Sequence, residues 1–239
     1  NFDPEVLREY DIRGVVGENI NENTAYTIGR TFGHTVKSKL TSHTIVTGYD
    51  GRLTSPSLHK ALCEGLKDSG VKVINIGMGP TPMTYFAHYH FEADAAVMLT
   101  GSHNPSEYNG FKMVFNKHSF FAEDIQSLQK LLDNNALELA DGQIIEQDIT
   151  KEYIERDLLN ISLNRKLKVA WDPGNGAMGK VTRKITEQLI NSENIIINEE
   201  VDGNFPNHHP DPTVPKNMIQ LIETVKKNSC DIGLAFDGD

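Results

Sequence analysis

The sequence predicts an α/β protein built on largely parallel sheets, and three observations point there. Short apolar runs alternate with amphipathic helical patterns along nearly the whole chain, the α/β signature. Gly, Pro and Asn mark the turns between them. The 239 residues are 38% hydrophobic and 23% charged, which suits a globular chain long enough for one large domain or two ordinary ones.

Tyr10-Asp11-Ile12-Arg13-Gly14, followed by Val15 and Val16, reads as a short strand carrying a buried-looking Arg into a Gly turn. Taken alone, Arg13 fits a surface Arg better. Residues 22–40 predict a helix, because Ala25, Ile28, Phe32 and Val36 recur at helical spacing. Residues 43–49 read as a strand, and Asp50-Gly51-Arg52 follows it. Ser55-Pro56 offers an N-cap and a Pro at the first helical position. Leu58, Ala61, Leu62, Gly65 and Leu66 form the apolar stripe of that helix, which Gly70 ends.

Residues 71–76 are a short strand, and Gly79-Pro80-Thr81-Pro82 starts a helix near 83–90. Residues 93–99 are a buried strand that runs into Thr100-Gly101-Ser102-His103-Asn104-Pro105. Asn109-Gly110-Phe111-Lys112 then opens a strand over 109–115 that returns beside this loop. A helix over 122–132 follows, with Ile125, Leu128, Leu131 and Leu132 apolar.

Residues 134–147 lose periodicity, and a boundary near 148–150 divides the chain into 1–149 and 150–239. The second part predicts a helix at 151–160 and a strand at 167–171. The turn Asp172-Pro173-Gly174-Asn175-Gly176 leads into a helix to about 190, and a strand follows at 195–198. A helix over 214–227 carries Met218, Leu221, Ile222 and Val225 on one face, and a last strand runs over 231–236 before Asp237-Gly238-Asp239.

A formal net charge of −10 argues against a general nucleic-acid binder, which needs a basic face. It leaves phosphate ligands open, because a local site can be basic in an acidic protein. No apolar run approaches the roughly 18 residues of a membrane span. The start Asn1-Phe2-Asp3-Pro4 lacks both a signal-peptide pattern and an initiator Met, as in a trimmed or partial N-terminus. Cys63 and Cys230 are far apart and show no C-x-x-C spacing, so two buried thiols in a reducing cytoplasm are expected, with no zinc site.

The hexapeptide around Ser102 puts a hydroxyl where a strand ends, the place where open α/β sheets bind ligands. By itself it fits a polar loop equally well. Asp237-Gly238-Asp239 puts two carboxylates at another strand end, with a Gly that allows a sharp turn, and such oxygen ligands suit Mg²⁺ or Ca²⁺. An acidic turn is the plain alternative. Gly174-Asn175-Gly176-Ala177-Met178-Gly179 fits G-x-G-x-x-G, with Glu199 and Glu200 near the expected acidic distance. Asp172-Pro173 intervenes between strand and first Gly, so a tight turn into a helix is the better reading. The Pro-rich stretch 202–212 cannot be a helix. Its adjacent His208 and His209 read as part of a structured loop, because neighbouring residues rarely point to one metal. Ser102-His103 lacks the G-x-S-x-G elbow of many hydrolases, since Asn104 stands at the final position. A Ser beside a divalent-cation site points instead to phosphoryl transfer.

Together these stretches resemble the α-D-phosphohexomutase superfamily, and within it the phosphomannomutase/phosphoglucomutase group. The matching segments are 10–14, 100–105, 109–112, 172–177, 202–212 and 235–239, in the family's order and spread over nearly the whole chain. Gly101 favours this group over phosphoglucosamine mutases, which usually carry Ala there. The resemblance implies two successive three-layer α/β domains with mostly parallel mixed sheets. Domain 1 (1–149) would hold the phosphoserine loop. Domain 2 (150–239) would hold the metal loop and be incomplete at its C-terminal end.

It also implies a reversible 1,6-phosphoryl shift on a hexose 1- or 6-phosphate through a hexose 1,6-bisphosphate, in the cytoplasm. Ser102 would be the phosphoserine and His103 would help to position it or the substrate. Arg13 and Lys112 would assist proton transfer and stabilise charge, and Mg²⁺ would bind Ser102, Asp237 and Asp239. The family's metal loop continues to a third Asp and an Arg, and its third and fourth domains follow. The chain alone is therefore expected to be weak or inactive as a mutase. A metal-assisted phosphatase using Ser102, or a noncatalytic fragment, are the competing expectations.

Overall fold

The computed structural model describes residues 2–3, 6–7, 10–134 and 137–239. Asn1 and Pro4 of the expected N-terminal stretch, and Asn135 and Ala136 of the expected aperiodic stretch, lie outside the described residues.

The first part of the chain runs β1 (Ile12–Val15), α1 (Glu22–Lys39), β2 (Thr44–Tyr49), α2 (Ser55–Lys67), β3 (Lys72–Met78), α3 (Thr81–His90), β4 (Ala95–Leu99), β5 (Tyr108–Phe115), β6 (His118–Ser119), α4 (Glu123–Asp133) and β7 (Gln143–Glu146). The strands form one seven-stranded sheet in the order β1-β5-β4-β2-β3-β7, with β6 on β5. Strand β2 is parallel to β3 and β4, and β7 is parallel to β3. The connection 100–107 is too short for the crossover that a parallel neighbour needs, so β5 runs antiparallel to β4. Its register sets Lys112 opposite Met98 and Phe111 opposite Leu99, which brings Lys112 beside the end of β4.

Strand side chains alternate between two apolar layers, as the pleat requires. Ile45, Val73, Ala95, Val97 and Leu99 join the cluster under α1, α2 and α4. Val46, Ile74 and Ala96 face the other way, with Met83 and Ala87 of α3. Helix α1 matches its pattern: Ala25, Ile28, Phe32 and Val36 are fully buried, each Ile or Phe contributing about 1.5–3 kcal/mol by leaving water. The Asn21 side chain accepts from Thr24 N at 3.0 Å and caps this helix.

The second part runs α5 (Thr150–Leu158), β8 (Leu167–Asp172), α6 (Gly179–Gln188), β9 (Ser192–Ile196), a 3-10 turn (Pro215–Met218), α7 (Ile219–Asn228) and β10 (Ile232–Ala235). Its sheet is parallel, in the order β10-β8-β9. The second apolar layer continues from α3 through Ile149, Tyr153 and Ile154 into Val169, Trp171 and Val181. Phe86 of α3 meets Tyr153 of α5 with ring centroids 5.8 Å apart.

Several elements differ from expectation. Thr54, not Ser55, is the N-cap of α2, and the Ser55 hydroxyl donates to Asp50 at 2.6 Å instead. The stretch expected to be aperiodic contains β7, a four-residue edge strand whose residues are exposed except for half-buried Ile144; such an edge carries no alternation to read. Strand β9 starts at Ser192 and stops at Ile196, and Asn198 stands at φ +51°, outside strand geometry. The helix expected over 214–227 divides at Met218. Of its four apolar positions Leu221 alone is fully buried, and Ile222 is exposed. Cys63 is buried but Cys230 is only half-buried, and both are free thiols.

Candidate active site

The loop after β4 is folded by its neighbour strand. Asp50 follows β2, whose end is paired with the end of β4 (Tyr49 opposite Leu99). Its Oδ2 accepts from Thr100 Oγ1 at 2.8 Å and from Gly101 N at 3.1 Å. Thr100 Oγ1 in turn accepts from Ser102 N at 2.8 Å. Ser102 is therefore turned into the left-handed region, at φ +53°, which costs a non-Gly residue roughly 1–2 kcal/mol. The residue is buried, at 7% exposed.

Asp50 is paired with Arg52, which is equally buried. Burial pushes the Asp50 carboxyl up and the Arg52 guanidinium down, and the pairing opposes both shifts. The carboxylate accepts only from donors: Arg52 N and Nε, Ser55, Thr100 and Gly101. That environment fits the ionised form.

The last strand of the second sheet delivers the acids. Ala235 lies opposite Asp172 at the carboxyl end of β8, and Asp237-Gly238-Asp239 continues from there to Ser102. The Ser102 hydroxyl lies 3.4 Å from Asp237 Oδ2 and 3.2 Å from Asp239 Oδ1. Gly238 has no room for a side chain, because a Cβ there would meet Ser102 O at 2.9 Å. On its other side Gly176 approaches Gly238 backbone to backbone, and Ala177 N donates to Gly238 O at 3.1 Å. The space beside Gly176 thus holds the acidic turn, which gives this G-x-G-x-x-G stretch a packing role.

Electrostatics separates the two acids. Burial favours a protonated Asp239, but the Lys112 ammonium, with hydrogen bonds from Lys112 and Thr81, outweighs it and holds the carboxyl below its ordinary range. Lys112 Nζ and Thr81 Oγ1 each donate to Asp239 Oδ2 at 2.7 Å. Asp237 is pushed up, first by burial and then by the Asp239 charge, against its contact with His103. His103 Nδ1 lies 3.3 Å from Asp237 Oδ2, on an exposed side chain. Two carboxylates and a hydroxyl, all hard oxygen donors, fit an ion such as Mg²⁺. Among the described residues no group of three or more His, Cys, Asp or Glu side chains could hold a metal ion. A full ligand shell around Ser102, Asp237 and Asp239 needs further oxygens.

Arg13 is brought in at one remove. Its half-buried guanidinium donates to Asp11 Oδ2 at 2.5 Å. With the Asn104 amide oxygen oriented by its hydrogen bonds, Arg13 Nη1 also donates to it at 2.8 Å. His208 and His209 diverge: His208 Nε2 contacts Asp172 Oδ2 at 2.8 Å, while His209 Nε2 bonds the His103 carbonyl. The structure thus gathers Ser102, His103, Lys112, Asp237 and Asp239 in direct contact, with Arg13 on the rim. Sequence reasoning missed Asp50, Arg52, Thr81 and His209. For Asp50 and Arg52 a signal existed, since they follow a parallel strand just as the serine loop does.

Residues 4–138 match the description "Phosphoglucomutase/phosphomannomutase, alpha/beta/alpha domain I", and residues 151–239 match domain II of the same family. The chain is 46% identical over 234 residues to a phosphomannomutase/phosphoglucomutase of Pseudomonas putida, covering 98% of this chain and 50% of that protein. It is 42% identical over 241 residues to a phosphoglucomutase of Neisseria meningitidis, covering 100% of this chain and 52% of that protein. A solved phosphoglucomutase/phosphomannomutase family protein from Burkholderia thailandensis superposes with a TM-score of 0.94 at 38% identity, over 100% of this chain and 54% of that one. The chain spans about half the length of the curated relatives it matches. With both parts matched in order, and with relatives this similar across nearly every residue, the chain belongs to the phosphoglucomutase/phosphomannomutase family.

Proposed function

We propose that this chain supplies the phosphoserine and metal-ligand parts of an isomerase that moves a phosphoryl group reversibly between the C1 and C6 oxygens of a hexose phosphate. The observation that carries this is the hydroxyl of the buried Ser102 facing one oxygen of Asp237 and one of Asp239. In this account the site lies where a first domain (1–149) meets a second (150–239).

Ser102 carries the phosphoryl group. Its transfer to a sugar hydroxyl breaks the P–Oγ bond and forms a P–O bond to the sugar; the sugar oxygen loses a proton and Ser102 Oγ regains one. The second half-reaction runs the same exchange backwards from the other phosphate of the hexose 1,6-bisphosphate. Lys112 and Arg13 offer cations to the charge that spreads over the phosphoryl oxygens. His103, tethered through its carbonyl to His209, positions the phosphoserine or the sugar phosphate. Ser102, Asp237 and Asp239 would hold Mg²⁺, which supplies charge neutralisation and Lewis-acid polarisation when bound. Among the described residues no helix is long and apolar enough to cross a membrane, and the cytoplasm is the proposed compartment.

The test follows the phosphate. Incubation with glucose 1,6-bisphosphate and Mg²⁺ is expected to leave a phosphoryl group on the protein and release an equal amount of hexose monophosphate. Continuous release of inorganic phosphate without a lasting phosphoprotein would contradict this and favour a metal-assisted phosphatase.

A further inference from the structure

We propose that Arg52 is the positioning residue for Ser102, and that Phe205, from the other side of the site, holds the Arg52 guanidinium in place. This rests on Ser102 being the phosphoryl carrier.

Arg52 is 1% exposed, yet among the described residues its only ionic partner within a hydrogen bond is Asp50. Its remaining donors go to the serine loop and to the first residue of β5. Nη2 donates to Ser102 O and Asn104 O, each at 2.7 Å. Nη1 donates to Pro105 O at 2.6 Å and Tyr108 O at 3.0 Å. One planar group therefore ties together both arms of the loop that presents the nucleophile. A guanidinium offers five N–H donors in a fixed fork, whereas an ammonium offers three around one point. Lysine can keep the charge but not this pattern.

The contact with Ser102 O has a geometric consequence. Ser102 stands in the left-handed region at φ +53°, and a residue held there needs its surroundings to over-determine it. Thr100 fixes the amide side of Ser102 and Arg52 fixes the carbonyl side. Together they aim the hydroxyl at Asp237 and Asp239. Gly101 makes the arrangement fit, since a Cβ there would lie 2.4 Å from Arg52 Cζ and Nε.

The part of the chain that brings the two acids also caps Arg52. The Phe205 ring centroid lies 5.4 Å from Arg52 Cζ, a cation–π distance. A Cβ at Gly203 would meet Arg52 Cα at 2.8 Å, so the 202–205 turn rests directly on this residue. Arg52 touches neither the Ser102 hydroxyl nor the acids; it acts through the backbone of the loop.

The experiment compares Arg52→Lys, Arg52→Ala and Phe205→Leu with the unaltered chain. The rate of Ser102 phosphorylation by glucose 1,6-bisphosphate and Mg²⁺ is measured per folded molecule, with the folded fraction taken from near-UV circular dichroism. Amide exchange over 101–108 is read in parallel. Arg52→Lys is expected to slow phosphorylation about tenfold or more, because small misplacements of a reacting atom are costly, and to speed exchange in the loop. Phe205→Leu is expected to do both more weakly. Millimolar guanidinium should restore phosphorylation in Arg52→Ala, and methylammonium should not; a role in fold stability alone would not produce that difference. Wild-type rates in Arg52→Lys, losses that track only the folded fraction, or equal rescue by both cations would overturn the proposal. Should the unaltered chain take up no phosphoryl group, the phosphoserine account fails, and the exchange data decide the positioning role by themselves: unchanged loop exchange in Arg52→Lys overturns it.

Discussion

Ser102 Oγ and Asp239 Oδ1 lie 3.2 Å apart although 137 residues separate them in the chain. The other oxygen of the same carboxylate takes hydrogen bonds from Lys112 and Thr81. One buried acid thus joins the loop after β4, strand β5, the start of α3 and the segment after β10.

Lys112→Met leaves that carboxylate without its cation in a site where it is 6% exposed. The loss is expected to cost about 1–2 kcal/mol, since a hydrogen bond to a charged group is worth more than a neutral one and the Lys is partly solvated. Urea denaturation in metal-free buffer measures it. Asp239→Asn in the same chain should recover part of the loss, because the unpaired charge is then gone. An unchanged midpoint in Lys112→Met would contradict the pairing.

Gly176→Ala should separate the acids from the serine. Its Cβ would meet Gly238 Cα and O at 2.9 Å, and both are backbone atoms that cannot swing aside. The acidic turn must shift, so Mg²⁺ binding by calorimetry is expected to weaken while the helical circular dichroism stays close to wild type.

His59 supplies a pH signature. It is buried against Tyr49, with ring centroids 4.7 Å apart, and lies 3.6 Å from Cys63 Sγ through Nε2. Burial lowers its pKa from 6.5 to about 4. Between those values the unfolded chain binds a proton that the folded chain does not, so this contribution to stability is full above pH 6.5 and is lost as pH falls toward 4. The loss amounts to about 3 kcal/mol. His59→Gln should flatten the stability–pH slope in that window; an unaltered slope would show that His59 is not the group responsible.

The thiols should differ sharply. Burial pushes Cys63 up to about 12, and thiolate is the reactive form. Under native conditions iodoacetamide is expected to label half-buried Cys230 and to spare Cys63 until the chain unfolds. Peptide mass mapping checks both.

Much of this site was legible because its parts are local. Ser102 and the two acids each sit in a short motif next to a strand, and a strand end is where such sheets bind ligands; Lys112 lies within β5, and its role was read from the family resemblance. The connection over 100–107 also implied that Lys112 would come back beside the serine. Arg52 was legible only in its position after a parallel strand; its role was not, because the loop carbonyls it binds lie 50–56 residues away. Thr81 reaches Asp239 across 158 residues. Strand β7 was lost for a related reason, since its identity comes from backbone pairing with β3 rather than from any alternation of its own. Ser55 shows local rules overridden by tertiary need: a residue well suited to cap a helix gives its hydroxyl to Asp50.

The most direct test of the account is to locate the phosphoryl group. The chain is incubated with glucose 1,6-bisphosphate and Mg²⁺ and digested, and its phosphopeptides are mapped by mass spectrometry beside Ser102→Ala and Asp237→Asn. A single phosphorylated site at Ser102 is expected, absent in Ser102→Ala and formed more slowly in Asp237→Asn. Phosphate on another residue, or equal labelling of Ser102→Ala, would contradict it.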